Sequence, residues 1–244
     1  MARLHRLTIS LLLISLVSAS ANAAFADFTE LKTAYNQWCD DRSAVESKYG
    51  PIGQWDVSRV TTLAALFCEL LVCQNHYDPP SNPKCIGFNE DISGWDISRV
   101  TSLTYTFAGA RSFNQPLAPW DTSRVTRMGS TFDAAESFNQ PLTWNTAKVT
   151  DMGSMFRLAK AFNQPSVQDF DTSNVVNMRS TFHLAVKFNQ PLPWNTKNTK
   201  EMKDMFAHAK SFDQPLNWDV SNVDRFEGTF DDSTRGHVER SKTL

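Results

Sequence analysis

Residues 120–143 read Trp120-Asp121-Thr122-Ser123-Arg124-Val125-Thr126-Arg127-Met128-Gly129-Ser130-Thr131-Phe132-Asp133-Ala134-Ala135-Glu136-Ser137-Phe138-Asn139-Gln140-Pro141-Leu142-Thr143, and the phrase begins again at Trp144-Asn145. The anchoring aromatic of this block falls at Trp55, Trp95, Trp120, Trp144, Phe170, Trp194 and Trp218, with one step of 40 and then steps of 25, 24, 26, 24 and 24. A second anchor, at Phe67, Phe107, Phe132, Phe156, Phe182, Phe206 and Phe230, keeps the same rhythm. A fixed period of this size means one supersecondary unit per repeat, stacked on its neighbours. The expected fold is an α/β solenoid of about seven coils of 24–26 residues, closed at its start by a capping helix.

Within the quoted block, Val125, Met128, Phe132 and Ala135 stand at i, i+3, i+7 and i+10, the spacing of one helical face. Ser123 or Asp121 precedes that face as a candidate cap. Pro141 lacks an amide for a ladder and marks a corner. Each coil therefore reads as one short helix and one short extended segment. At the start, Asp27-Phe28-Thr29-Glu30 has the form of a capping box, and Leu31, Ala34, Tyr35 and Trp38 continue an amphipathic pattern. This predicts a helix over 27–48 that covers the first coil. No comparable apolar cap follows Phe230, which makes self-association through the last coil one alternative to consider.

Residues 1–23 read as a secretory leader: Arg3 and Arg6, an apolar run from Leu7 to Val17, then Ala21-Asn22-Ala23 as the cleavage site. About 11 apolar residues fall short of the roughly 20 that cross a bilayer, so no membrane span is expected after cleavage. The divisions are then 1–23 leader, 24–50 cap, 51–230 repeats and 231–244 polar tail. Removing the leader takes two of the 24 basic residues and none of the 26 acidic ones, leaving a net charge of −4. That balance argues against nucleic acid as a partner.

The four cysteines, Cys39, Cys68, Cys73 and Cys85, suggest two disulfides in an exported chain. Phe67 to Phe88 is 21 residues where every later repeat has six, and the extra 15 form an insertion at about 70–84. Of three connectivities the favoured one is Cys73–Cys85, closing that loop, with Cys39–Cys68 tying the cap to the first coil. The spacing C-x4-C-x11-C lacks a tight pair, and His76 is the one nearby histidine, so zinc is set aside.

Three polar rows recur. Asn89, Asn114, Asn139, Asn163 and Asn189, with Asp213, sit between a core Phe and a turn and read as an internal amide ladder rather than a sugar site. Asp56, Asp96, Asp121, Asp171 and Asp219, with Asn145 and Asn195, match no calcium-repeat spacing, and local capping explains both residue types. Arg59, Arg99, Arg124 and Lys148 fill one variable position in four successive coils, which later holds Asn174, Asn198 and Asn222. Stacking turns these cations into a stripe that suits sulfated or carboxylated polymers or an acidic protein face, the competing reading being surface pairs with nearby aspartates. The β-branched row Val57, Ile97, Thr122, Thr146, Thr172, Thr196 and Val220 is broken at both ends, which counts against an ice-binding array. No nucleophile elbow, zincin motif or P-loop occurs, and no cofactor is expected. His183 and His208, one register apart in adjacent coils, read as surface residues.

The phrases Phe113-Asn114-Gln115-Pro116-Leu117, Trp120-Asp121-Thr122-Ser123 and Val149-Thr150-Asp151-Met152-Gly153-Ser154-Met155-Phe156 resemble the BspA-like leucine-rich-repeat surface proteins of microbes. The likeness covers residues 51–230. It implies an LRR-like solenoid, a secreted or cell-surface location, and adhesion in some members, with no catalytic residues to carry over. The chain departs from the bacterial forms in its cysteine-bearing insertion. The expected function is non-catalytic binding of a protein or glycan; a polysaccharide-active enzyme and a self-assembling structural protein are the alternatives.

Overall fold

The computed structural model describes residues 24–69, 85 and 87–233. The expected leader (1–23), Cys73 with the rest of the insertion, and 234–244 of the expected tail lie outside the described residues.

The chain opens with two helices in place of the single one expected: α1 (Phe28–Asp40) and α2 (Arg42–Tyr49). Asp27 accepts from the Glu30 amide at 2.9 Å, while Glu30 reaches back to the Ala26 amide at 2.7 Å, so the capping box closes one residue early. The break comes at Asp41, whose φ of −146° leaves the helix and whose carboxylate caps α2 at the Ala44 amide. Leu31, Ala34, Tyr35 and Trp38 of α1 are buried, and Tyr35 meets Phe67 edge-on at 5.0 Å.

After the cap the chain makes seven coils, which we number 1–7 from Trp55, Trp95, Trp120, Trp144, Phe170, Trp194 and Trp218. Single parallel bridges tie them in order: Ser102 to Arg127, then Asp151, Asn177, Glu201 and Arg225. The expected helix within each coil is absent. In coil 3 the amides of Thr131, Asp133 and Ala135 donate to the carbonyls three residues back, at Met128, Ser130 and Phe132. The alternate amides, of Met128, Ser130, Phe132 and Ala134, donate instead to Asp151, Gly153, Met155 and Arg157 of coil 4. The segment is a run of fused turns in which every second N–H serves the neighbouring coil. To aim them so, Ser130 (φ 55°) and Ala134 (φ 57°) take the left-handed region, as do Ser154, Leu158, Ser180, Leu184, Asp204 and His208 at the equivalent places. A left-handed non-glycine residue costs about 1–2 kcal/mol, and the inter-coil bonds it permits offset that. Buried residues recur every three or four positions along fused turns, which is why the pattern imitates a helix.

The core is two columns of stacked phenylalanines. Successive rings from Phe107 through Phe132, Phe156, Phe182 and Phe206 to Phe230 lie 5.5–5.6 Å apart. The second column, Phe88, Phe113, Phe138, Phe162, Phe188 and Phe212, repeats at 6.0–6.1 Å. Within coil 3 the columns touch, Phe132 to Phe138, at 4.0 Å. Trp95, Trp120, Trp144, Trp194 and Trp218 wall the other side, each indole N–H donating to a carbonyl of the previous coil or its lead-in. Phe170 has no such donor, and there the chain makes a 3-10 turn, Pro165–Asp169, where its neighbours run straight.

The disulfide joins Cys39 to Cys85 across a Cα–Cα distance of 5.2 Å, which corrects both expected pairings. Cys85 stands beside α1 and meets the cap there. Cys68 is also disulfide-bonded, and its partner lies outside the described residues.

Candidate functional site

The cation positions are built by a tight turn. In coil 3 the Asp121 carboxylate accepts from the Ser123 amide at 3.0 Å, and the Val125 amide closes back on the Thr122 carbonyl at 2.9 Å. Thr122 and Val125 are buried, so Arg124 is driven outward at the tip. The same turn places Arg59 before Val60, Arg99 before Val100 and Lys148 before Val149, all four cations exposed. Equivalent side chains stand one coil apart, roughly 5 Å. Among the described residues none of the four lies within 4.0 Å of a carboxylate. Arg124 still lies near enough to Asp121 to help lower its carboxyl, but no contact-distance ion pair ties up the four cations among the described residues.

Two columns flank the cations. Asp56, Asp96 and Asp121, with Asn145, lie on one side, each holding the amide two residues on. Those serine hydrogen bonds hold Asp96 and Asp121 below the usual carboxylate range, so the anions are fixed at neutral pH. The later members, Asp171, Asn195 and Asp219, do the same. On the other side, Thr101, Thr126 and Thr150 each donate Oγ1 to the threonine carbonyl of the preceding coil, at 3.2, 3.2 and 3.3 Å. The face is thus a striped one: bound carboxylates, exposed cations, tethered hydroxyls.

The stripe ends abruptly at coil 5. Asn174, Asn198 and Asn222 occupy the cation position there, and each Nδ2 donates to a carbonyl of the preceding coil at 2.7–3.0 Å. These side chains are consumed in stacking. One position thus carries two chemistries, an exposed cation in coils 1–4 and an amide bonded along the stack in coils 5–7.

Asn89, Asn114, Asn139, Asn163 and Asn189 form a continuous chain of bonds. Each Oδ1 accepts the amide of the equivalent residue in the next coil at 2.9 Å, ending on the amide of Asp213. The following Gln donates Nε2 to the same Asn, through Oδ1 or the main-chain carbonyl. Their acceptors are occupied, which leaves little for a sugar. Thr122, Thr146, Thr172 and Thr196 of the β-branched row point inward, bonding the next coil's carbonyl at 2.7–3.0 Å.

Two buried polar residues carried no clear sequence signal. Lys32, 1% exposed, lies among the apolar residues of α1 and donates Nζ to the carbonyls of Ala65 and Leu66 at 2.8 and 2.6 Å. Burial drops its pKa to about 7. Asp133 is also buried, and burial raises its carboxyl to about 6 against the pull of Arg157. Arg157 Nε stands 2.9 Å from Oδ1, close enough for an ion pair but angled away from a hydrogen bond. His183 and His208 come together with ring centres 5.7 Å apart, and His208 Nδ1 is 3.2 Å from Asp232. No group of three metal-ligating side chains converges there or elsewhere among the described residues. A cleft of about 540 Å³ over Pro191, Pro193, Pro215, Trp194 and Trp218 holds no titratable group and runs from the ends of coils 4 and 5 along coil 6 to the start of coil 7, with none of the four cations in its lining. No helix among the described residues is long and apolar enough to cross a membrane.

Neither a curated protein nor a solved structure matches the chain. One family model matches twice in tandem, over residues 82–143 and 142–242, taking in coils 2 to 7 where the stacking bonds repeat most regularly. Together the two matches span about two thirds of the chain, which belongs to the family described as "Mycoplasma protein of unknown function, DUF285".

Proposed function

We propose that the protein is a BspA-like, LRR-type solenoid, secreted or held at a cell surface, that binds a protein or glycan partner without catalysis. The observation that carries this reading is the column of Arg59, Arg99, Arg124 and Lys148, exposed at four successive turns with no carboxylate within 4.0 Å among the described residues. A rigid row of cations at about 5 Å intervals meets a linear anion with repeated charge better than a compact one. Sulfated or uronic-acid glycans and extended acidic peptides have that form. The Cys39–Cys85 disulfide supports an oxidising compartment.

The test is a binding screen of residues 24–244 against anionic glycans and matrix proteins across salt concentration. A hit should weaken steeply with salt, and Arg99→Ala with Arg124→Ala should reduce it at least tenfold. Binding that ignores both salt and the double substitution would refute the cation column as the site. Reducing ends released from a tested polymer would refute the non-catalytic reading.

A further inference from the structure

Within the body of the fused-turn wall the inter-coil bonds run one way, whereas residues at its entry, such as Arg225 to Lys200, and beyond its exit, such as Ala161 to Glu136, donate backward. At each of the six junctions, four amides of one coil donate to four carbonyls of the next, from Leu63, Ala65, Phe67 and Glu69 in coil 1 to Met202, Asp204, Phe206 and His208 in coil 6. The two ends of the wall are therefore chemically opposite: carbonyls at the start, amides at the finish. At the start, α1 covers coil 1, and Lys32 takes the carbonyls of Ala65 and Leu66. At the finish, no carbonyl among the described residues accepts from the amides of Gly228, Phe230 or Asp232, the places that donate forward in every earlier coil. A partly buried main-chain donor without an acceptor costs about 1–3 kcal/mol, so this edge favours an occupant.

The geometry points to an extended, basic peptide segment of another protein, added as an eighth strand-like layer on coil 7. Three features select it. The edge needs carbonyls at alternate residues, which an extended backbone supplies. Phe230, Val220 and Val223 are only partly buried there, so an alternating apolar side chain finds a surface. The exposed charges of coil 7 are Asp219, Asp224, Glu227, Asp231 and Asp232 against Arg225, an excess of four negative. A second copy fits badly: its own start is covered by α1, and its own finish would set donors against donors. The edge is far along the stack from the cation column, so the two readings stand or fall separately.

The experiment uses residues 24–244 and, as probe, an acetylated twelve-residue peptide of alternating Lys and Val, with the Glu/Val counterpart as control. Amide hydrogen exchange is followed at Gly228, Phe230 and Asp232, with affinity by fluorescence anisotropy. Fast exchange in the free protein, slowed at least tenfold by the Lys/Val peptide and not by the Glu/Val one, supports the proposal. Glu227→Lys with Asp231→Lys, both exposed side chains, should weaken that binding at least tenfold without altering exchange in coils 2–5. Slow exchange before any peptide is added overturns it, since the edge is then already covered by this chain or a second copy. Peptide binding that leaves the three amides unprotected also overturns it.

Discussion

Replacing Asn163 with alanine removes the Oδ1 that accepts both the Asn189 amide and Gln190 Nε2, each at 2.9 Å. The Asn189 amide then has no acceptor in a half-buried site, a loss of about 1–3 kcal/mol. Gln190 keeps a 3.3 Å bond to the Asn163 carbonyl, so its loss is smaller. The expected total is about 2–3 kcal/mol, concentrated at one junction because each coil touches only its neighbours. Asn163→Asp keeps both acceptors and should cost under about 1 kcal/mol. Joining it to Asn139→Asp places two carboxylates one coil apart, roughly 5 Å, which repel by about 3 kcal/mol at an effective dielectric of 20. That is the physical reason the column is asparagine inside the stack, with aspartate only at its end, Asp213. Urea unfolding of the parent, Asn163→Asp, Asn139→Asp and the double aspartate variant forms a double-mutant cycle, with Asn163→Ala and hydrogen exchange at Asn189 measured beside it. The ladder is refuted if Asn163→Ala lies within about 0.5 kcal/mol of the parent with Asn189 still protected, or if the two aspartates prove additive.

Lys32 yields a pH prediction. Its pKa falls from 10.5 unfolded to about 7 folded, so between those values the unfolded chain binds the extra proton and stability rises with pH, on the order of 5 kcal/mol across the window. Lys32→Met should flatten that rise, and an unchanged slope in urea titrations from pH 7 to 10 would show that another group carries it. Tyr35, raised by burial, works the opposite way only above pH 10. Cys39→Ser with Cys85→Ser opens a link of 46 residues, worth about 4 kcal/mol in the loop-entropy account; a midpoint loss below about 1 kcal/mol would refute a stapling role.

The period and the junction partners were legible because identical residues recur at fixed intervals, and Phe on Phe or Asn on Asn needs only that register. The path inside a coil was not. Fused turns and a helix both bury residues every three or four positions, and the residues that must turn left-handed, Ser130 and Ala134 among them, are not glycines that would flag it. Cysteine pairing was illegible for a different reason: the position of Cys85 beside α1 is a long-range contact that no spacing encodes. The cation column could be named from sequence, but its lack of contact-distance ion pairs depends on Asx turns that bind Asp96 and Asp121 to their own serines first.

The one-way amides also set an order of assembly. A coil can complete its wall only when the next has been synthesised, while the helical cap is made first and already closes the opposite side. The chain thus lays down a seed and then adds layers to a waiting template, as a crystal grows from one face. Every new layer closes a loop of only 24–26 residues after the insertion, so each step is short-ranged and quick. Register is inherited from the layer below, and whole layers could be lost or duplicated in evolution while the seed and the growth rule stay the same.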